Sequence, residues 1–179
     1  MSLLRLFLLL VGATVLAHPP LQAAESGFNG RWRLDIPRSS ALDGWTTADL
    51  VFSIEGPFVA IRHDMTWRST KVTGTNRLDT RGVAQEIIDY FRIDQRHMAV
   101  YAPPGKSSQV TASWLDQNRT LKVEALIPVE VSQGDAKIRT YSEYRLLEGD
   151  NSLLVIELHH NRIRPLVYHF TRVSEEVKK

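Results

Sequence analysis

The sequence has no cysteine, which excludes disulfides, thiolate zinc sites, a cysteine nucleophile and the lipidated cysteine of a bacterial lipoprotein anchor. It has almost no excess charge. Lys+Arg 22 against Asp+Glu 20 leaves a formal +2 over 179 residues, which offers no electrostatic footprint for nucleic acid or an anionic membrane. It contains no P-loop, dinucleotide fingerprint or HExxH helix, so no cofactor is expected. Ser39, Ser40, Ser107 and Ser108 lack the G-x-S-x-G context of a serine hydrolase. Long hydrophobic runs are also missing: the apolar stretch at residues 6–17 has about twelve residues, where a membrane-spanning helix takes about 20.

That stretch belongs to a different pattern. A short positive start ending at Arg5, the apolar run, and a small-residue exit in Leu21, Gln22, Ala23 and Ala24 read as a secretory signal peptide at residues 1–24. Cleavage is expected at Ala23 or Ala24, with Val15, Leu16 and Ala17 as a second acceptable site. The expected destination is a bacterial periplasm or the exterior, with one domain at residues 25–173 and a frayed charged tail at 174–179. Without disulfides, such a domain must be stabilised by its core alone.

From Phe28 onward, apolar residues alternate with polar ones in short segments separated by turn residues, the pattern of an all-β chain. Trp32 and Leu34 alternate with Arg31, Arg33 and Asp35, and Leu50, Phe52 and Ile54 alternate with Val51, Ser53 and Glu55. After a turn at residues 55–58, Val59, Ile61, His63, Met65 and Trp67 share the inward face of a strand, opposite Arg62, Asp64, Thr66 and Arg68. Further strands are expected at 72–78, 84–93, 98–101, 110–115, 121–127, 138–147, 153–160 and 166–173, with Pro128 ending the strand before it. A helix over 83–96 is the weaker reading, because Ile87, Ile88, Tyr90, Phe91 and Ile93 are β-branched or aromatic; Ile87, Phe91 and Ile93 should share a strand face. Turn signals at 55–58, 116–119 and 148–151 favour a meander. The expected fold is one antiparallel up-and-down barrel of about 8–10 strands.

Arg172 lies on the same alternating face as Leu166, Tyr168 and Phe170, and an inward arginine needs a partner. Stacking over the Trp32 indole, with its N–H groups donating to backbone carbonyls, would satisfy it, since a barrel brings its first and last strands together. Gly30, Trp32 and Arg172 resemble the closure of the lipocalin-like (calycin) barrels, whose G-x-W packs beneath an arginine of the last strand. The opening from Phe28 to Asp35 with Ser39 is similar to small exported bacterial lipocalin-like domains. The segment at 37–47 is too short for the two-helix lid of the ten-stranded fatty-acid-binding type.

The resemblance implies a lumen holding an apolar or amphipathic small molecule. His63, Met65, Trp67, Trp114, Tyr144 and Tyr168 are the interior candidates by alternation, and plain core packing is the competing reading for each. Leu42 and Trp45, in the loop 38–47, are expected to form a lid, to anchor a protein partner, or to tuck onto the barrel rim. His159 and His160 adjoin and must face opposite sides of a strand, so with His63, His97 and His169 they make no interior metal site. Three functions follow in order: binding of a small ligand without chemistry; an envelope accessory or inhibitor module working through its loops; and an isomerase or hydratase using His63 with Tyr144 or Tyr168. A monomer or weak oligomer is expected.

Overall fold

A computed structural model of the chain describes residues 27–42, 45–93, 102–131 and 134–174. The leader, residues 175–179, His97 and the strand expected at 98–101 lie outside the described residues. Ten strands follow one another: β1 (Gly30–Leu34), β2 (Thr47–Glu55), β3 (Phe58–Trp67), β4 (Thr70–Asp79), β5 (Gln85–Ile88), β6 (Ser107–Leu115), β7 (Thr120–Val131), β8 (Gly134–Leu146), β9 (Ser152–His159) and β10 (Leu166–Arg172). They form one sheet in the order β4-β3-β2-β1-β10-β9-β8-β7-β6-β5. Every ladder between neighbours is antiparallel, and all except β1 with β10 join strands adjacent in sequence. The seam of this nearly closed barrel lies between β4 and β5, where an isolated bridge, Arg81↔Ser113, ties the chain after β4 to β6.

Alternation decides which side chains fill the barrel. Val59, Ile61, His63 and Met65 of β3, Leu121, Val123, Ala125, Ile127 and Val129 of β7, and Leu166, Tyr168 and Phe170 of β10 are all buried. The polar residues between them face outward and pair across strands. Asp49 of β2 accepts hydrogen bonds from Arg31 Nη1 (2.8 Å) and from Arg33 Nε and Nη2 (2.9 Å each). Arg31 Nη2 also donates to Asp64 of β3 (2.8 Å), so one charged network laces three adjacent strands.

Closure is built at the end of the barrel where β1 begins and β10 finishes. Trp32 and Arg172 are register partners, and the guanidinium carbon stands 4.2 Å from the centroid of the Trp32 ring. Arg172 Nε donates to the Asp150 carbonyl (2.8 Å), Nη1 to that of Asn29 (2.8 Å) and Nη2 to that of Gly27. Trp32 Nε1 donates to the Phe28 carbonyl (2.8 Å), folding the N-terminal segment across the barrel end. Gly30 has φ +115°, a region that disfavours a side chain, and a Cβ there would lie 3.3 Å from Arg172 Nη1. Phe28 packs on Phe52 and Trp114 (centroids 5.5 and 5.2 Å), and Phe52 on Tyr144 (5.7 Å), so aromatic rings fill this half.

Three expectations are corrected. Pro128 does not end its strand: β7 runs on to Val131, paired with β8. The ladder with β6 stops at Leu126, so among the described residues Pro128 stands beyond it, where a missing N–H costs no bond to β6. The strand expected at 84–93 stops at Ile88, because Asp89 turns with φ 54° and the chain then folds inward. Trp67 ends β3, half-buried beside the hairpin with the Arg68 guanidinium over its ring, and takes no part in the core.

Candidate functional site

Polar residues concentrate in the half of the interior away from Trp32. On β8 the inward positions run Ile138, Thr140, Ser142, Tyr144 and Leu146, and on β9 they run Leu153, Val155, Glu157 and His159. Register sets Ser142 opposite Glu157 and Thr140 opposite His159, so two adjacent strands present four polar side chains to one space. His63 reaches the same space from β3, and residues 90–93 close it from the seam side. Together His63, Arg92, Thr140, Ser142, Tyr144, Glu157 and His159 make a buried pocket of polar side chains inside a mostly apolar barrel. The free space among them gives the centre of a water molecule about 10 Å³, enough for about one water.

His63 is 3% exposed, and burial pushes its imidazole down to about 4, against partial opposition from the Gly74 backbone, the Asp64 charge and the Ile61 backbone. It is therefore neutral near neutral pH, and among the described residues its Nδ1 has no hydrogen-bond partner. Glu157 and His159 approach to 3.7 Å (Oε2 to Nε2). Asp64, the sequence neighbour of His63, points outward into the arginine network; although burial raises it, hydrogen bonds from Arg62 and Arg31 hold its carboxyl below the usual value.

The structure divides the interior candidates. His63 and Tyr144 line the polar pocket. Met65 and Tyr168 are buried in the general core, and Trp114 is half-buried at the closure end against Phe28. Leu42 and Trp45 both pack against the core at the far end of the barrel, with the Trp45 amide donating to the Leu42 carbonyl (3.3 Å). Ser39 and Ser40 fasten this loop to β10, their hydroxyls accepting from the amides of His169 (2.9 Å) and Val167 (2.8 Å). His159 faces inward and His160 outward, and among the described residues no group of three or more His, Cys, Asp or Glu is placed to hold a metal.

Sequence reasoning missed Arg92, Thr140, Ser142, Glu157 and the inward placement of His159. The alternation of β8 and β9 carried the signal for four of them, since a continued inward face after Leu153 and Val155 runs through Glu157 and His159.

No protein-family model matches the chain, and no curated protein matches it in sequence. Solved structures do. One is a fatty acid transporter, REP1-NXSQ, at 12% identity over 83% of this chain and 97% of that one, with a TM-score of 0.51. Another is apo lipid binding protein 8 of Caenorhabditis elegans, at 12% identity over 82% and 96% of the two chains, with a TM-score of 0.50. The likeness reaches the ten-stranded type that the short segment at 37–47 argued against; the described residues there carry a single 3-10 turn, Ile36–Arg38. At these identities the comparison speaks for the fold alone, and by it the chain is a ten-stranded, nearly closed antiparallel up-and-down barrel like those of the two structures.

Proposed function

We propose that the chain binds a small amphipathic molecule inside its barrel, with a fatty acid as the reference chemistry. One observation carries the reading: hydrogen-bonding side chains gather in one enclosed half of the interior while the other half is apolar. Such a division suits a ligand with a polar head and an apolar body. The head group would bond to the neutral His63 imidazole and the Ser142 and Thr140 hydroxyls. The solved structures of similar fold include proteins named for fatty acid transport and lipid binding, which agrees with this class of ligand. Residues 1–24 read as an export leader, so the proposed place of action is a bacterial periplasm or the exterior.

Space for about one water means that part of the pocket lining must move before a ligand enters. The same filled interior favours a second reading, an accessory module that meets a protein partner through its loops. Native mass spectrometry of protein purified from its exported compartment, followed by solvent extraction, separates the two. The expected result is a stoichiometric lipid or amphipathic metabolite. A bare mass, together with no binding of 11-(dansylamino)undecanoic acid, refutes the ligand reading and leaves the partner reading to a pull-down.

A further inference from the structure

Residues 90–93 do not behave as a surface loop. After β5 the chain turns at Asp89, whose amide donates to the Lys106 carbonyl (3.1 Å) and whose carboxylate accepts from the Gly105 amide (2.6 Å). This neck fixes where the segment leaves the sheet and where the chain returns to it. Beyond the neck, Tyr90, Arg92 and Ile93 are buried inside the barrel.

The docking is specific and is made by β4. Asn76, itself buried, donates from Nδ2 to the Phe91 carbonyl (2.8 Å) and accepts the Phe91 amide at Oδ1 (2.9 Å). One side chain thereby serves both backbone groups of Phe91, in the manner of a strand partner, across a seam where no strand ladder exists. The Phe91 ring rests on Gly74: a Cβ at that position would fall within 3.0 Å of Phe91 Cβ, Cγ and Cδ2. The same ring lies 5.0 Å from the His63 ring, between His63 and the seam. Gly74 and His63 are register partners, so the missing side chain on β4 makes room for Phe91 beside the pocket histidine.

We infer that residues 90–93 are a built-in occupant of the pocket, docked on β4 through Asn76 and Gly74, and that a ligand enters by taking this segment's place. The inference rests on the ligand-binding reading above and adds to it the element that moves. A docked segment competes with ligand, so apparent affinity is the intrinsic affinity reduced by the fraction of molecules in which the segment is out. Contacts that hold the segment in must then weaken ligand binding without touching the ligand.

The absence of cysteine makes the test clean, because a single introduced thiol is the only one in the chain. Ile93→Cys reports on the segment, and Val155→Cys, on the inner face of β9, reports on the barrel wall. Maleimide labelling of each is measured in otherwise wild-type protein and with Gly74→Ala or Asn76→Ala. The expected result is labelling at position 93 accelerated about tenfold or more, with position 155 unchanged and the affinity for 11-(dansylamino)undecanoic acid raised by a similar factor. By reciprocity, saturating probe should accelerate labelling at position 93 in the protein without either substitution.

Unchanged labelling at position 93 in both variants overturns the inference, whatever the probe does. Accelerated labelling with no probe binding leaves the movable segment standing and refutes the ligand reading instead. If both thiols accelerate, the substitution has loosened the whole barrel, and Phe91→Ala decides. That change removes the ring from its seat while β4 stays intact; acceleration confined to position 93 supports the inference, and none overturns it.

Discussion

Mild acid should destabilise this barrel through His63. His63 in the unfolded chain takes up a proton near its ordinary 6.5, and in the folded barrel only near 4, because burial penalises the imidazolium. Between those values the unfolded chain binds more protons than the folded one, so stability falls as pH falls through that window and is flat above it. At about 1.4 kcal/mol per pH unit, the interval corresponds to roughly 3 kcal/mol, a large share of the stability of a small domain. The groups sharing the pocket with His63 are Tyr90, Arg92, Tyr144, Glu157 and His159. The assay is urea denaturation at about pH 7.5 and about pH 4.5, on the wild type and on His63→Leu, which occupies a similar volume and cannot titrate. Every other side chain is the same in both proteins, so the difference isolates His63. The wild type should lose about 2.5 kcal/mol more than the variant over this range, since a pH of about 4.5 stops short of the folded value. Parallel losses in the two proteins would refute the argument that His63 is held neutral by burial.

Trp32→Ala, and separately Arg172→Ala, should each cost about 2–4 kcal/mol in urea denaturation, through a cavity in one case and a lost set of carbonyl hydrogen bonds in the other. Arg172→Lys should recover little, since an ammonium cannot both stack and reach three carbonyls; recovery of most of the loss would show that charge alone matters. Asp49→Asn should cost about 1–2 kcal/mol near neutral pH, because its carboxylate accepts three hydrogen bonds from Arg31 and Arg33. Burial raises the Asp49 carboxyl, but the bonds from Arg33 and Arg31 outweigh it and leave it below its usual value, so this stabilisation is present above about 3.8 and lost as pH falls below it. The double variant Glu157→Met/His159→Leu should be as stable as wild type or up to about 4 kcal/mol more stable, since a buried polar pair is often exceeded by an apolar pair of like volume. A marked loss of stability would mean that these groups support the fold.

The ten-strand meander and its closure were legible because each rests on local signals. Period-two alternation names the inward face, and the turn residues at 55–58, 116–119 and 148–151 lie between strands that pair as hairpins. Trp32 and Arg172 stand far apart in the chain, yet an arginine on an apolar face demands a partner, and barrel topology leaves few. Residues 84–93 were not legible. Ile87, Ile88, Tyr90, Phe91 and Ile93 have the composition of a strand, and the side chain that diverts them, Asn76, sits across the seam on β4. No local pattern announces that an asparagine will do the work of a neighbouring strand.

Gly74 poses the same problem from the other side. A glycine in a strand signals a bend, a bulge or a close approach, and the sequence does not say which. Here it is the close approach, of the Phe91 ring, from a segment whose composition is that of a strand. The pocket follows the same logic. Alternation carried Thr140, Ser142, Glu157 and His159 to the inward face, but each reads singly as a polar interruption of a strand, and an isolated polar residue within an apolar barrel is a cost. They acquire a joint meaning only through register, which brings Ser142 beside Glu157 and Thr140 beside His159, and through His63 arriving from β3 across the barrel. A barrel selected for stability alone would continue Leu153 and Val155 with two more apolar residues. Spending two adjacent inward positions of β9 on ionisable side chains, next to a histidine held neutral, is what separates this half of the interior from the aromatic half that closes around Trp32.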